Sequence, residues 1–190
     1  MLRSIQSYIL YDFKRIYVRV DADTARSLTI GLLKQREASE DNARSQADLL
    51  VEAELRGHPS HGLQRLPRLL ARVDRGLIDP RTIGAGTWIA DSVLDVDGMM
   101  GLGPAVALAA LQRLKTRIDA TGIAMATIHN SNHLGMLAPY VEKIAEWDCV
   151  GIAISSSEAL VHPHGGTRAL IGTNPIAIAV PTAERPMVLD

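Results

Sequence analysis

The sequence is poor in aromatic residues and almost devoid of cysteine. Aromatics make up 4% of the 190 residues, with a single Phe, so any core must be assembled from Ala, Leu, Ile and Val. A chain of this length can bury enough surface for such a core. The one cysteine, Cys149, excludes an internal disulfide and fits a reducing compartment. It sits in the apolar run Asp148-Cys149-Val150-Gly151-Ile152 and reads as a small buried hydrophobe rather than a nucleophile. Neither sign of charge prevails. Twenty basic and 21 acidic residues leave a formal net charge of -1, and nothing points to nucleic acid, which needs a concentrated basic face. The loose arginine cluster from Arg65 to Arg75 is explained as well by a solvated helix face. No apolar stretch has the length of a membrane span. Residues 1–19 lack a continuous hydrophobic region and a small-residue cleavage site, so they read as an extension of unknown role and not as a signal peptide. There are no repeats and no low-complexity linker.

What is present is an ordinary globular mix, 47% hydrophobic and 22% charged, with clear punctuation. Ser39 suits a helix N-cap, followed by Glu40 and Asp41 where acids favour the helix dipole. Ala43, Ala47, Leu50, Val51 and Leu55 continue at helical spacing, and Gly57 is a natural stop. After a break at His58 to Gly62, Leu66, Leu69, Leu70 and Val73 predict a second helix with Pro67 in its first turn. Strand patterning runs from Gly86 to Gly98, where Asp97-Gly98 is a turn signal. Pro104 opens a third helix through Ala107, Leu111, Leu114 and Ile118, and the run from Gly122 to Ile128 predicts a buried strand. A fourth helix carries Leu137, Val141 and Ile144. Val150 to Ile154 predicts another buried strand, and Ile176 to Val180 and Met187 to Leu189 two more. A chain stopping at Asp190 directly after a strand reads as truncated.

Three segments could carry chemistry. Arg56 to Arg65 packs Ser60, two imidazoles and a guanidinium into a helix-to-helix break. Imidazole gives or takes a proton near neutrality, and the guanidinium fork can hold a carboxylate. The plain alternative is that Ser60 caps the next helix and the histidines fill a turn. Asn130 to Gly135 lies between a strand and a helix, where free N–H groups make an anion site and His133 would face a crevice; the alternative is a turn capped by Asn132. Val161 to Thr167 and Leu170 to Pro175 form the third, in which Thr173 and Asn174 offer donors and acceptors for a carbonyl or amide. Gly101-Leu102-Gly103 begins like a dinucleotide fingerprint, but Val106 replaces its third glycine and the strand-helix-strand context is poor.

Taken in order, these segments resemble one family. Glu52-Ala53-Glu54-Leu55-Arg56-Gly57, Ser60-His61-Gly62 with Arg65, Arg75-Gly76-Leu77-Ile78-Asp79-Pro80, Asn130 to Gly135, Leu170 to Pro175 and Val188-Leu189-Asp190 follow the pattern of the type-2 malate/L-lactate dehydrogenases. Ureidoglycolate and sulfolactate dehydrogenases, diketogulonate reductase and piperideine-carboxylate reductase are relatives. The resemblance runs from roughly Val20 to Asp190. It implies an α/β fold: a helical N-terminal part over 20–80, then a non-Rossmann nicotinamide-binding α/β domain over 81–190 that lacks its C-terminal part. It also implies a cytoplasmic homodimer that transfers hydride between NAD or NADP and a small 2-hydroxy/2-oxo acid, with no nucleic acid or membrane partner and no metal. Ser60 and His61 would belong to the substrate pocket, with His61 or His133 trading the proton. Arg65 would pair with the substrate carboxylate, with Thr173 and Asn174 also at the substrate. His133, Leu134, Gly135, Met136, Leu137, Ser157 and Asp190 would approach the cofactor.

Two other readings stand beside this one. A truncated homologue could retain part of the pocket without turnover. A metal-dependent hydrolase could use the pairs His58/His61, His129/His133 and His162/His164, whose spacings allow zinc chelation.

Overall fold

Local capping, more than propensity, sets where the helices begin. The computed structural model describes residues 4–8 and 17–190, with side chains from residue 19 onward, so most of the expected N-terminal extension lies outside the described residues. Strands β1 (Ser4–Tyr8) and β2 (Tyr17–Asp21) pair antiparallel. Asp21 then caps α1 (Ala22–Lys34), its carboxylate accepting the Thr24 N–H at 2.9 Å. This helix is absent from the sequence reading. In α2 (Glu40–Leu55) Ser39 is the cap, accepting from the Asn42 N–H, and Gly57 follows its end at φ +80°.

The break after α2 is more ordered than its composition predicts. Two 3-10 turns, Pro59–His61 and Leu63–Arg65, lead into α3 (Leu66–Asp74), with Pro67 in its first turn as expected. The first turn's Gly62 lies against the Glu54 side chain, where a Cβ would stand 2.6 Å from its Oε1. Glu54 in turn accepts the Leu63 N–H at 2.8 Å. That carboxylate is half-buried, and burial raises its pKa against the backbone hydrogen bonds that lower it.

Strand β3 (Ala85–Ala90) pairs antiparallel with β4 (Val93–Asp97), which pairs parallel with β5 (Met125–His129). The hairpin turns at Asp91-Ser92. Asp97-Gly98 instead leads into α4 (Gly103–Thr121), the crossover between β4 and β5. A strand-helix-strand unit is therefore present, correcting the expectation of a poor context. Its glycines are nevertheless filled from inside: residues 101–107 are all buried, and Gly103 faces the Asn132 and His133 carbonyls, leaving no open phosphate cradle. Leu94 and Val96 are buried with Val106, Leu111 and Leu114 of α4. Strand β5 is not the buried strand predicted, since Met125, Thr127 and His129 face outward. Asn42 is buried, donating through Nδ2 to the Pro80 and Thr82 carbonyls at 3.0 and 3.2 Å. These elements form one compact unit that ends at Gly135, in which β3 to β5 lie together with the helices.

The second unit, Met136–Asp190, contains α5 (Ala138–Ala145) and an antiparallel sheet of β6 (Gly151–Ile154), β7 (Ile176–Val180) and β8 (Met187–Leu189). Register separates the two faces. Ala153 pairs with Ala177 and Gly151 with Ala179, a row of small residues that meets α5. The opposite face carries Ile152, Ile178 and Leu189 in one row, with Ile154 beside Ile176 and Val180 beside Met187. Ile152 and Ile154 are exposed, Ile154 by 70%, so β6 is buried on one face only. No helix among the described residues is long and apolar enough to cross a membrane.

Candidate active site

The expected site residues of the first unit come together. His61 ends the first 3-10 turn and His133 lies in the loop after β5, yet their ring centroids are 5.6 Å apart, tilted by 38°. The Ser60 hydroxyl is 3.1 Å from His61 Nδ1, so Ser60 steadies the imidazole; no side-chain bond caps α3, whose start at Arg65 has helical backbone. The Arg65 guanidinium donates to the Ser60 carbonyl at 3.1 Å and, among the described residues, has no carboxylate partner. Burial and the neighbouring Arg68 charge both lower its pKa.

The His133 loop is pinned from two sides. Asn132 does not cap a helix: its Nδ2 donates to the Met100 and Gly101 carbonyls at 2.7 and 3.0 Å, and its Oδ1 accepts from Arg72 at 3.1 Å. His133 Nδ1 accepts the Gly135 N–H at 2.9 Å, which leaves the proton of the neutral ring on Nε2. Gly135 holds φ +78°, a conformation that glycine adopts without strain. The His133 pKa falls from 6.5 to about 4, first through desolvation by the surrounding protein and then through the charges of Arg65, His61 and Arg68. The ring keeps part of its surface open to solvent, and partial desolvation and the neighbouring positive charges act on it together. At neutral pH His133 is an uncharged hydrogen-bond donor.

In the second unit Ser157, Thr173 and Asn174 meet. Ser157 Oγ accepts the Thr173 N–H at 2.8 Å and lies 3.1 Å from Thr173 Oγ1, and Asn174 Oδ1 accepts the Ser157 N–H at 3.1 Å. Gly172 allows this approach, since a Cβ there would stand 2.5 Å from Ser157 Oγ. The Asn174 side-chain NH2 makes no bond among the described residues. Met136 and Leu137 are buried at the start of α5. The N–H groups that predicted an anion site there are not all open: Asp190 Oδ2 accepts the Ala138 N–H at 2.8 Å, so the carboxylate expected at the cofactor caps a helix of its own unit. Leu134 bridges the two pinned residues His133 and Gly135.

The sequence assigns Arg68 and Arg72 no role in the site, because their spacing is that of any solvated helix face, and it presents Gly103 only in a fingerprint-like segment and not as a neighbour of the His133 loop. Cys149 is half-buried, its thiol donating to the Trp147 carbonyl at 3.4 Å. His129 lies 3.5 Å from Asp95. Among the described residues no three His, Cys, Asp or Glu side chains are placed to hold a metal ion, and the histidine pairs that suggested a hydrolase gain no third ligand.

Residues 20–190 match the malate/L-lactate dehydrogenase family. The malate dehydrogenase of Pyrococcus horikoshii is 36% identical over 178 residues, covering 92% of this chain and 48% of that protein. The (2R)-3-sulfolactate dehydrogenase (NADP(+)) of Chromohalobacter salexigens is 34% identical over 168 residues, 87% of this chain and 50% of that one. Among solved structures, a dehydrogenase from Sinorhizobium meliloti superposes with a TM-score of 0.88 at 54% identity, covering 91% of this chain and 51% of that one. The chain spans about half the length of the curated relatives it matches.

Proposed function

The chain belongs to the malate/L-lactate dehydrogenase family, and on that premise we propose that it serves an NAD- or NADP-dependent oxidoreductase interconverting small 2-hydroxy and 2-oxo acids. The supporting observation is the pairing of His61 and His133 at 5.6 Å beside Arg65, a guanidinium without an acid partner among the described residues. A 2-oxo acid brings a carboxylate next to a carbonyl, and this cluster offers a fork for the first and imidazoles for the second.

Each residue has a distinct task. Arg65 holds the carboxylate and orients the adjacent carbonyl. Neutral His133, its proton on Nε2, donates a hydrogen bond to the carbonyl oxygen and polarises it. His61, steadied by the Ser60 hydroxyl, gives the proton to that oxygen on reduction and takes it on oxidation. A bound nicotinamide supplies or accepts the hydride. Within the second unit, the Ser157 and Thr173 hydroxyls and the Asn174 NH2 are groups that can hydrogen-bond the carboxamide and sugar hydroxyls of such a nucleotide. The single cysteine supports a cytoplasmic setting, and the resemblance supports a homodimer, which light scattering on the purified protein measures.

The test is oxidation of NADH and NADPH with oxaloacetate, pyruvate and cyclic imino acids. His61→Ala and His133→Ala are each expected to lower kcat by about 10²–10⁴-fold. Full rates in both would overturn the assignment.

A further inference from the structure

Helix α3 presents more positive charge to the site than one carboxylate needs. Arg65, Arg68 and Arg72 are spaced three and four residues apart, which places them on one helix face. The bond from Arg72 to Asn132 Oδ1, 3.1 Å long, sets that face against the loop bearing His133. Arg72 is thereby occupied. Among the described residues Arg65 donates to the Ser60 carbonyl alone, and the exposed Arg68 has no bond or ion pair. The one acid of α3, Asp74, pairs with Arg36 at 2.7 Å, and Glu54 of α2 accepts the Leu63 N–H.

We propose that Arg68 determines specificity by receiving the second negative charge of a dianionic substrate, a short 2-oxo or 2-hydroxy acid with a further acidic group, while Arg65 holds the first. This rests on the oxidoreductase reading for its substrate class, but the anion site itself does not depend on turnover. Neither Arg65 nor Arg68 has an acid partner among the described residues, and a dianion cancels both charges where a monoanion cancels one. The state of His133 is consistent with this. After desolvation, the charges of Arg65, His61 and Arg68 are what keep its ring from protonating. A dianion seated between the arginines screens those charges and makes the ring easier to protonate.

The experiment compares the parent chain with Arg68→Gln and Arg68→Lys. Arg68 is exposed, and circular dichroism verifies that both variants fold. Binding of tartronate, a dianion, and glycolate, its monoanionic counterpart, is measured by calorimetry, and the His133 ring is titrated by NMR with each. In parallel, kcat/KM is measured for oxaloacetate and pyruvate. The tartronate-to-glycolate affinity ratio and the oxaloacetate-to-pyruvate ratio are expected to fall about 10- to 100-fold in Arg68→Gln, with Arg68→Lys in between. Tartronate should raise the His133 pKa in the parent more than in Arg68→Gln. Ratios unchanged in Arg68→Gln overturn the proposal, as does a parent chain that binds neither acid. A parent that turns over no substrate, yet binds tartronate through Arg68, overturns the oxidoreductase reading and upholds the anion site.

Discussion

Gly103 is where a single methyl group should reach the chemistry from outside the site. It opens α4 with ordinary backbone angles, so replacing it with Ala introduces no backbone strain. The added Cβ would stand 2.5 Å from the Asn132 carbonyl oxygen and nearer still to that of His133, where ordinary contact begins at 3.4 Å. The loop must therefore retreat by about 1 Å. It cannot slide as a whole, because Asn132 is tied to the Met100 and Gly101 carbonyls and to Arg72. The peptide planes turn instead, and the imidazole turns with them. Overpacking of this kind costs about 1–3 kcal/mol, or roughly 2–4 °C of Tm per kcal/mol at this chain length. A displacement near 1 Å in a reacting group costs on the order of 10²-fold in rate. Thermal unfolding reads the first effect. Oxidation of NADPH with oxaloacetate, with NMR contacts between the His61 and His133 rings, reads the second. A Gly103→Ala protein with the parent's Tm, ring contacts and rate would refute the reasoning.

The other expectations are smaller and independent. Gly31→Ala in α1, with nothing within 4 Å of its added Cβ, should stabilise the fold by about 0.5–1 kcal/mol, which makes it the control for Gly103. Asn42→Ala strands the Pro80 and Thr82 carbonyls and should cost about 1–3 kcal/mol in denaturant unfolding. Arg65→Lys loses the planar fork and should raise KM more than it lowers kcat. The His133 ring should titrate near pH 4 by NMR, and Arg65→Gln should move it upward. The unfolded chain holds more protons on this residue between about pH 4 and 6.5. Its share of the stability is therefore complete above pH 6.5 and lost as pH falls towards 4. A flat His133→Gln difference across that window would contradict it.

Much of this architecture was legible because punctuation residues act locally. Ser39, Gly57 and Pro104 each mark a helix end as their chemistry requires. Helix α1 escaped notice because its buried positions are Ala25, Thr29 and Leu33, a stripe too polar to stand out, although Asp21 was an available cap signal. Strands β5 and β6 misled in the opposite way: continuous apolar runs imply two covered faces, but here only one face of each is packed. The imidazole pair was legible through its motifs. Its electrostatics were not, because the arginines of α3 differ from a solvated face only through Asn132, which is 60 residues away from Arg72 in sequence. The meeting of Ser157 with Thr173 likewise depends on β6 and β7 pairing, and no local pattern announces it.

The sheet of the second unit has a material consequence. Its alanine row is locked onto α5, so folding draws little on the isoleucine plane behind it, and water wets that plane across three strands. Ile152→Thr or Ile154→Lys should therefore leave the melting temperature almost where it was while making concentrated solutions less sticky, a separation of colloidal from conformational behaviour that light scattering and calorimetry resolve side by side.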